Sequence, residues 1–440
     1  MSRRRNLVAF AASSLVVFAF VACASAPDAA SPETAMDFRP LPPDPHSYAV
    51  VNEARVVAMK LSWSVDFARR ELGGEVVLSV RRRDGVRRLV LDSRDLTLAL
   101  AEVDGQAVPW RFGPVDPILG SPLFIDLPEH GGADLAVRLV YRTRPTASGL
   151  QWLEPAQTFG KKRPYLFSQA QAIHARSFVP CQDTPGVRFT YEAEVRVPEG
   201  LRAVMSAEEE GPPRTADGLV ARRFRQTRPI PAYLLAIAVG DLDFRATGAR
   251  TGVYGEPGVV EAAASEFRDL EAMVDAVEAM FGPYRWGRYD VLVLPPSFPF
   301  GGMENPNMTF ATPTLLAGDR SLVSVIAHEL AHSWSGNLVT NADWSDFWLN
   351  EGFTVYLERR IVERLYGVET ATRQAILGRE DLLGTMADFK DRPKLRRLKV
   401  DLACEDPDDG MNSVPYEKGA LLLIAIERAV GRAAFDPVLR

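Results

Sequence analysis

The apolar pattern of this 440-residue chain changes period once, near Gly240, and that change constrains the fold more than any other feature. From about 49 to 243 the period is two. Leu61, Trp63, Val65 and Phe67 alternate with polar residues, as do Leu135, Val137, Leu139 and Tyr141, and Phe189, Tyr191, Ala193, Val195 and Val197. Gly73-Gly74, Asp84-Gly85 and Asp104-Gly105 separate such runs. Strict alternation between turn signals predicts antiparallel strands with one face in a core. Beyond Gly240, Phe267, Leu270, Val274, Val277 and Phe281 trace a helical stripe. A short strand is predicted over Val291 to Leu294, then a Pro/Gly-rich segment, then mainly helix. The expectation is an α+β chain, with an antiparallel β domain over 49–243 and a mainly helical domain over 244–440.

The first 48 residues read differently. Arg3, Arg4 and Arg5 precede an apolar run from Leu7 to Ala22, too short for a comfortable membrane span. Small residues follow, the layout of an export signal over 1–23. Val21-Ala22-Cys23 is similar to a bacterial lipobox, which would make Cys23 a lipid anchor; cleavage at Ala22-Cys23-Ala24 is the rival. Residues 24–48, rich in Pro, Ala, Ser and Asp, read as a flexible linker. The expected location is the cell envelope or periplasm, tethered to a bacterial membrane. Cys181 and Cys404 are expected to be two buried free thiols. A net charge of −6 disfavours a general nucleic-acid binder, which needs a basic face.

His328-Glu329-Leu330-Ala331-His332 is an HExxH motif on a predicted helix from about Ser321. Histidines four apart project from one helical face and can share one ion, with Glu329 beside it. A catalytic zinc needs a third protein ligand and an open position. Eighteen residues separate His332 from Glu351, which opens a second predicted helix with an apolar stripe of Phe353, Leu357, Ile361 and Leu365. His328, His332 and Glu351 are therefore the candidate ligands of one Zn2+. The whole chain holds only five histidines, and two fall in this motif, which argues against coincidence. Zinc-activated water with Glu329 as general base is hydrolytic chemistry.

Gly301-Gly302-Met303-Glu304-Asn305 lies a short way upstream, Glu304 being 24 residues before His328. The glycines permit close approach by a ligand backbone. Glu304 offers a carboxylate to an ammonium group, which is what distinguishes a chain end from an internal bond. Tyr416, in Val414-Pro415-Tyr416-Glu417-Lys418-Gly419, is a candidate donor to an oxyanion.

The chain resembles the gluzincin (M1) aminopeptidases, in particular the branch that holds leukotriene A4 hydrolase and aminopeptidase B. The shared phrases are PYLFSQ at 164–169, QAIH at 171–174, PCQDTP at 180–185, LVLPPSFPFGGMENP at 292–306, TPTLLAGD at 312–319, VIAHELAHSWSGNLVTN at 325–341, FWLNEG at 347–352 and SVPYEKG at 413–419. The resemblance implies a β saddle followed by a thermolysin-like zinc peptidase domain. It implies His328, His332 and Glu351 as zinc ligands, Glu329 as general base and Tyr416 as oxyanion donor. Glu304 would hold the substrate amine with Gln171 assisting, while Gly301, Gly302 and Met303 line the peptide path. Asp408 would be an acidic pocket residue. Phe300 and Met411 stand where the leukotriene A4 hydrolase branch has tyrosines, which removes hydroxyls from the pocket. The family also continues into a helical C-terminal domain, so a C-terminally truncated catalytic domain is expected here.

The leading expectation is a monomeric aminopeptidase acting on short peptides with a free N-terminus. Epoxide hydrolysis on a lipid is a second reading, and a binding protein built on a disabled peptidase is a third. Zinc content separates the last from the first two.

Overall fold

The computed structural model describes residues 39–440. The export signal, the Cys23 anchor and the linker up to residue 38 lie outside the described residues. The rest of the expected linker differs from expectation, because residues 40–48 are docked on the fold. Asn52 clamps the backbone of Leu41 through its Oδ1 and Nδ2. His46 is buried, its Nε2 3.0 Å from Leu402 O and 3.1 Å from Glu405 O. Ser47 Oγ donates to Asp92. Polar composition suggested a free tether; these side-chain anchors, far apart in sequence, override it.

The β domain is built on a nine-stranded sheet. Its long central strands, Ala54–Asp66 and Glu71–Arg82, pair antiparallel, with Leu61 opposite Val76. One pairing departs from the antiparallel expectation: Ala54–Asp66 runs parallel to Arg188–Pro198, with Leu61 opposite Ala193. The alternating residues face one core, where Leu61, Val65, Val137, Leu139, Phe189 and Val195 are buried. Each such side chain contributes ~1.5–3 kcal/mol. Trp63, fully buried, keeps its indole N–H satisfied by Tyr141 Oη at 2.8 Å. A four-stranded sheet that includes Leu150–Leu153, Tyr165–Ser168 and Ile237–Gly240 lies after it, and the chain leaving Tyr165–Ser168 enters the functional site.

A mixed five-stranded sheet follows, built from Asp243–Ala246, Thr251–Gly255, Tyr289–Val293, Met308–Ala311 and Gly302–Met303. The α-helices of the described residues are α1 (Val260–Glu266), α2 (Leu270–Phe281), α3 (Ser324–Ala331), α4 (Trp348–Tyr366), α5 (Val368–Asp388), α6 (Gly419–Val430) and the single turn α7 (Arg432–Phe435). The predicted stripe is the buried face of α2 and its approach: Phe267, Leu270, Val274, Val277 and Phe281 are all in the second core. That core also takes Ile326, Ala327, Leu330 and Ala331 of α3 and Leu357 and Ile361 of α4, which seats the two helices on each other. Helix α3 starts three residues later than the spacing predicts, after a turn at 321–323. Of the two cysteines, Cys181 is buried, but Cys404 is exposed. Among the described residues, no helix is long and apolar enough to cross a membrane.

Candidate metal centre

Helix α3 is short, and its end positions the chemistry. His328 lies in its last turn and His332 caps it with helical backbone angles, so the two rings leave the same face. Their centroids are 4.8 Å apart and their Nε2 atoms 3.1 Å apart. Glu351 sits in the first turn of α4, where the helix dipole favours a carboxylate. Its Oε2 lies 3.3 Å from Nε2 of His328 and 3.5 Å from Nε2 of His332.

The outer ring nitrogens fix what these three atoms offer. His328 Nδ1 faces Glu358 Oε2 at 3.1 Å, and a carboxylate only accepts, so the proton is on Nδ1. His332 Nδ1 lies 3.1 Å from the carbonyl of Ser335, which again requires the proton on Nδ1. Thr354 Oγ1 supports that corner, its single proton within reach of the same carbonyl at 3.1 Å and of Asn350 O at 2.9 Å. Both Nε2 lone pairs therefore point at Glu351 Oε2, which is buried and makes no well-aligned hydrogen bond. Three converging lone pairs repel unless a cation lies among them. His328, His332 and Glu351 thus fit one divalent ion, and two imidazoles with one carboxylate is a donor set of catalytic zinc.

Without the ion, protons take its place. Burial opposes charge on His332, but Glu304 and Glu351 outweigh it and push its pKa up to about 9. Burial likewise opposes charge on His328, whose pKa the Glu351 and Glu358 carboxylates still hold well above the usual imidazole range. Burial raises the pKa of Glu351, yet His332 and His328 hold it down at about 2. At neutral pH the metal-free imidazoles are protonated and must lose their protons to bind zinc. Zinc uptake at pH 7 is therefore expected to release protons, and affinity to rise with pH until about 9. Calorimetry in buffers of different ionisation enthalpy checks this; buffer-independent heats would contradict it.

The outer partners were not legible as site residues in the motif itself. Glu358 and Thr354 follow Glu351 by seven and three residues on α4, which is the spacing of one helical face, and that was the available signal. Replacing Glu358 by Ala is expected to weaken zinc binding about 10–100-fold, read by competition with a chromogenic chelator. Unchanged affinity would remove Glu358 from the account.

Glu329 lies on the same turn but is not among these three ligands. Its carboxylate rests on the backbone of the short strand Gly302–Met303, and a Cβ on Gly302 would come within 2.3 Å of its Oε1. Burial first, then Glu304 and Glu351, raise its pKa to about 8 against the pull of the two histidines. A divalent ion alongside adds positive charge and draws that value down. Glu304 is buried within 4.8 Å of donor atoms of Glu329 and His332. Asn337 Nδ2 fixes its backbone carbonyl at 2.7 Å, and Gln171 Nε2 approaches its Oε1 at 3.4 Å.

Tyr416 occupies a π-helical turn, Val414–Lys418, that leads into α6. Its ring stacks on His328 with centroids 6.1 Å apart and planes 20° apart. Gly352 and Gly419 bring the backbones of α4 and α6 together; a Cβ on either would lie 2.7 Å from the other's Cα. Burial first, then the carboxylates of Glu351, Glu304 and Glu329, keep the Tyr416 phenol protonated far into the alkaline range. Met303 is buried and receives Gln169 Nε2 on its sulfur at 3.4 Å, a contact the sequence reading did not assign. Gly301 lies on the same path, where an added Cβ would meet only Val325 Cγ1 at 3.4 Å. Phe300, before it, is 46% exposed. Asp408 is exposed, accepts from Ala172 N at 3.3 Å and faces His174 Nε2 at 3.2 Å.

Family models match both parts of the chain: the peptidase M1 N-terminal domain over residues 45–234 and the peptidase family M1 domain over residues 266–440. Leukotriene A-4 hydrolase of Xenopus laevis is 46% identical over 393 residues, an alignment covering 88% of this chain and 64% of that protein. Leucine aminopeptidase 2 of Yarrowia lipolytica is 46% identical over 391 residues, covering 86% and 58%. Among solved structures, native leukotriene A4 hydrolase from Saccharomyces cerevisiae superposes with a TM-score of 0.85 at 40% identity, covering 90% of this chain and 63% of that one. An M1 zinc metallopeptidase from Deinococcus radiodurans superposes at 0.68 with 26% identity, covering 88% and 85%. The chain thus spans about three fifths of the length of the curated relatives it matches. The expected cofactor, one zinc ion per chain, agrees with this kinship and with the His/Glu group able to hold one metal. With both domain models matched in order and the sheet-rich and helical parts arranged as in those structures, the chain belongs to peptidase family M1.

Proposed function

We propose that this chain is an aminopeptidase, removing the N-terminal residue from short peptides by hydrolysis. The observation that carries the reading is Glu304. It is a buried carboxylate beside the metal ligands, outside the set of three that holds the ion, with the Gln171 amide on its rim. A spare buried anion at that place suits an ammonium group, because an unpaired buried charge is costly and a cationic substrate removes the cost.

When bound, the zinc ion supplies Lewis acidity at the scissile carbonyl and lowers the pKa of a water. His328, His332 and Glu351 hold it. Glu329 takes the water's proton and passes it to the leaving amine. The Tyr416 phenol, kept protonated, donates to the oxyanion that develops on the carbonyl oxygen. Glu304 and Gln171 hold the α-ammonium, Gly301 and Gly302 let the peptide backbone approach, and Met303 packs beneath. Asp408 accepts from the backbone N–H of Ala172, next to Gln171. A mutant of the Deinococcus radiodurans metallopeptidase has been solved with a Tyr-Ser-Ala substrate, a short peptide of the class proposed here.

Release of free amino acid from an unblocked dipeptide amide tests the reading. N-acetylation of the substrate and addition of a chelator should each abolish turnover; activity indifferent to both would rule it out. We also propose that residues 1–23 act as an export signal, so that the reaction takes place outside the cytoplasm. Mass spectrometry of the mature N-terminus decides between a lipidated Cys23 and a free secreted form, and retention of residues 1–22 would defeat both.

Epoxide hydrolysis is the second reading, favoured by the 46% identity to a leukotriene A-4 hydrolase. Incubation with a lipid epoxide that yields no diol above the uncatalysed rate would dismiss it.

A further inference from the structure

Four residues outside the metal centre form a continuous hydrogen-bonded chain ending on the wall that reads the substrate amine. They are Arg94, Ser148, His174 and Asp408, drawn from three separate stretches of the β domain and from the segment before Tyr416. Arg94 follows the strand Arg88–Ser93, and its backbone N–H donates to Arg176 O at 2.8 Å, so the two segments are fixed to each other. Arg176 is anchored by its buried ion pair with Asp183 at 3.0 Å. His174 is 20% exposed at its side chain and takes no part in the metal cluster.

The tautomer of His174 follows from its neighbours. Arg94 Nη1 lies 3.0 Å from His174 Nδ1, and a guanidinium only donates. Nδ1 therefore carries a lone pair, and the ring proton is on Nε2. Ser148 Oγ, 2.9 Å from Nδ1, is itself held by Arg94 Nη1 at 3.1 Å. The Nε2–H points at Asp408 Oδ2, 3.2 Å away. The other oxygen of Asp408 accepts from the backbone N–H of Ala172, the residue after Gln171. Gln171 in turn places its amide 3.4 Å from the Glu304 carboxylate. A fixed cation on one side of the ring thus sets a donor on the other, which orients an otherwise exposed carboxylate against the backbone that carries Gln171.

We propose that His174 is a positioning residue for the amine-reading wall, its Nε2–H tautomer locked by Arg94 and its task the orientation of Asp408 and the Gln171 backbone. This rests on the aminopeptidase reading, because Gln171 matters only if an amine is bound there. A residue that acts this way changes substrate binding and leaves the metal and the proton transfers of Glu329 alone.

Three variants test it on the whole chain, with zinc content, KM and kcat measured on a dipeptide amide. His174→Phe keeps a ring and removes both hydrogen bonds. It should raise KM about tenfold, the scale of one hydrogen bond to a charged group, with zinc content unchanged and kcat within about threefold. His174→Gln restores a donor near the Nε2 position and should recover most of the loss. Arg94→Met should behave like His174→Phe. An unchanged KM in His174→Phe, a fall in kcat alone, or no recovery in His174→Gln would overturn the proposal. The imidazole ¹⁵N shifts of His174 give a reading independent of turnover: protonation on Nε2 in the parent chain, and a mixed population in Arg94→Met. A parent chain protonated on Nδ1 would overturn the lock even if peptide hydrolysis stands. If the parent chain shows the lock but no hydrolysis that N-acetylation abolishes, the aminopeptidase reading fails, and the positioning role fails with it.

Discussion

Replacing Glu329 by Gln is expected to leave about one zinc ion per chain and to lower kcat by about 10²–10⁴. Glutamine has the same length and fits the space over Gly302, where the carboxylate now rests. The three ligands stay in place, because His328, His332 and Glu351 draw their orientation from Glu358, Ser335 and the first turn of α4. What is lost is the carboxylate that accepts a proton from water and returns it to the leaving amine. KM should change little, since Glu304 and Gln171 remain. Metal analysis and steady-state kinetics on one preparation are sufficient. Loss of zinc from this variant would give Glu329 a ligand's role, and retained turnover would remove it from the chemistry.

The second large effect is expected at Glu351. Changing it to Ala removes the carboxylate of the ligand set and leaves two imidazoles facing each other, their Nε2 atoms 3.1 Å apart. Zinc affinity should fall by more than the about 10–100-fold expected for an outer partner such as Glu358, and activity should go with it. Glu304→Gln is the control. It lies in the same buried cluster, so a merely electrostatic contribution would weaken zinc in both variants. The account expects Glu304→Gln to keep its metal and raise KM. Equal zinc loss in the two would mean that the cluster holds the ion by charge rather than by the geometry around Glu351.

The reason the candidate metal ligands were legible in the sequence is that each is set by local structure. His328 and His332 are one helical turn apart, and Glu351 opens the next helix. The period change near Gly240 likewise separates two kinds of local structure: Ile237–Gly240 is the last strand of the β domain and Asp243–Ala246 the first of the mixed sheet. What local patterns did not carry was tertiary. Residues 40–48 look like a tether, yet Asn52, Leu402 and Glu405 hold them down. The parallel pairing of Ala54–Asp66 with Arg188–Pro198 spans more than a hundred residues and leaves no mark on either strand's alternation. Exposure of Cys404 depends on a loop rather than on a periodic element. Tyr416 reaches the site through a π-helical turn and a contact between Gly352 and Gly419, neither visible in spacing; there the family resemblance supplied the expectation. His174 stood in plain view in a shared phrase, but its meaning depends on Arg94, eighty residues away.

The central claim is that two imidazoles and one carboxylate surround a single zinc ion. X-ray absorption at the zinc edge, on protein loaded with one equivalent, addresses it directly. The account predicts full occupancy, two imidazole nitrogens at about 2.0–2.1 Å and a remaining shell of oxygen. A shell containing sulfur, fewer than two imidazoles, or a chain that does not retain zinc would contradict it.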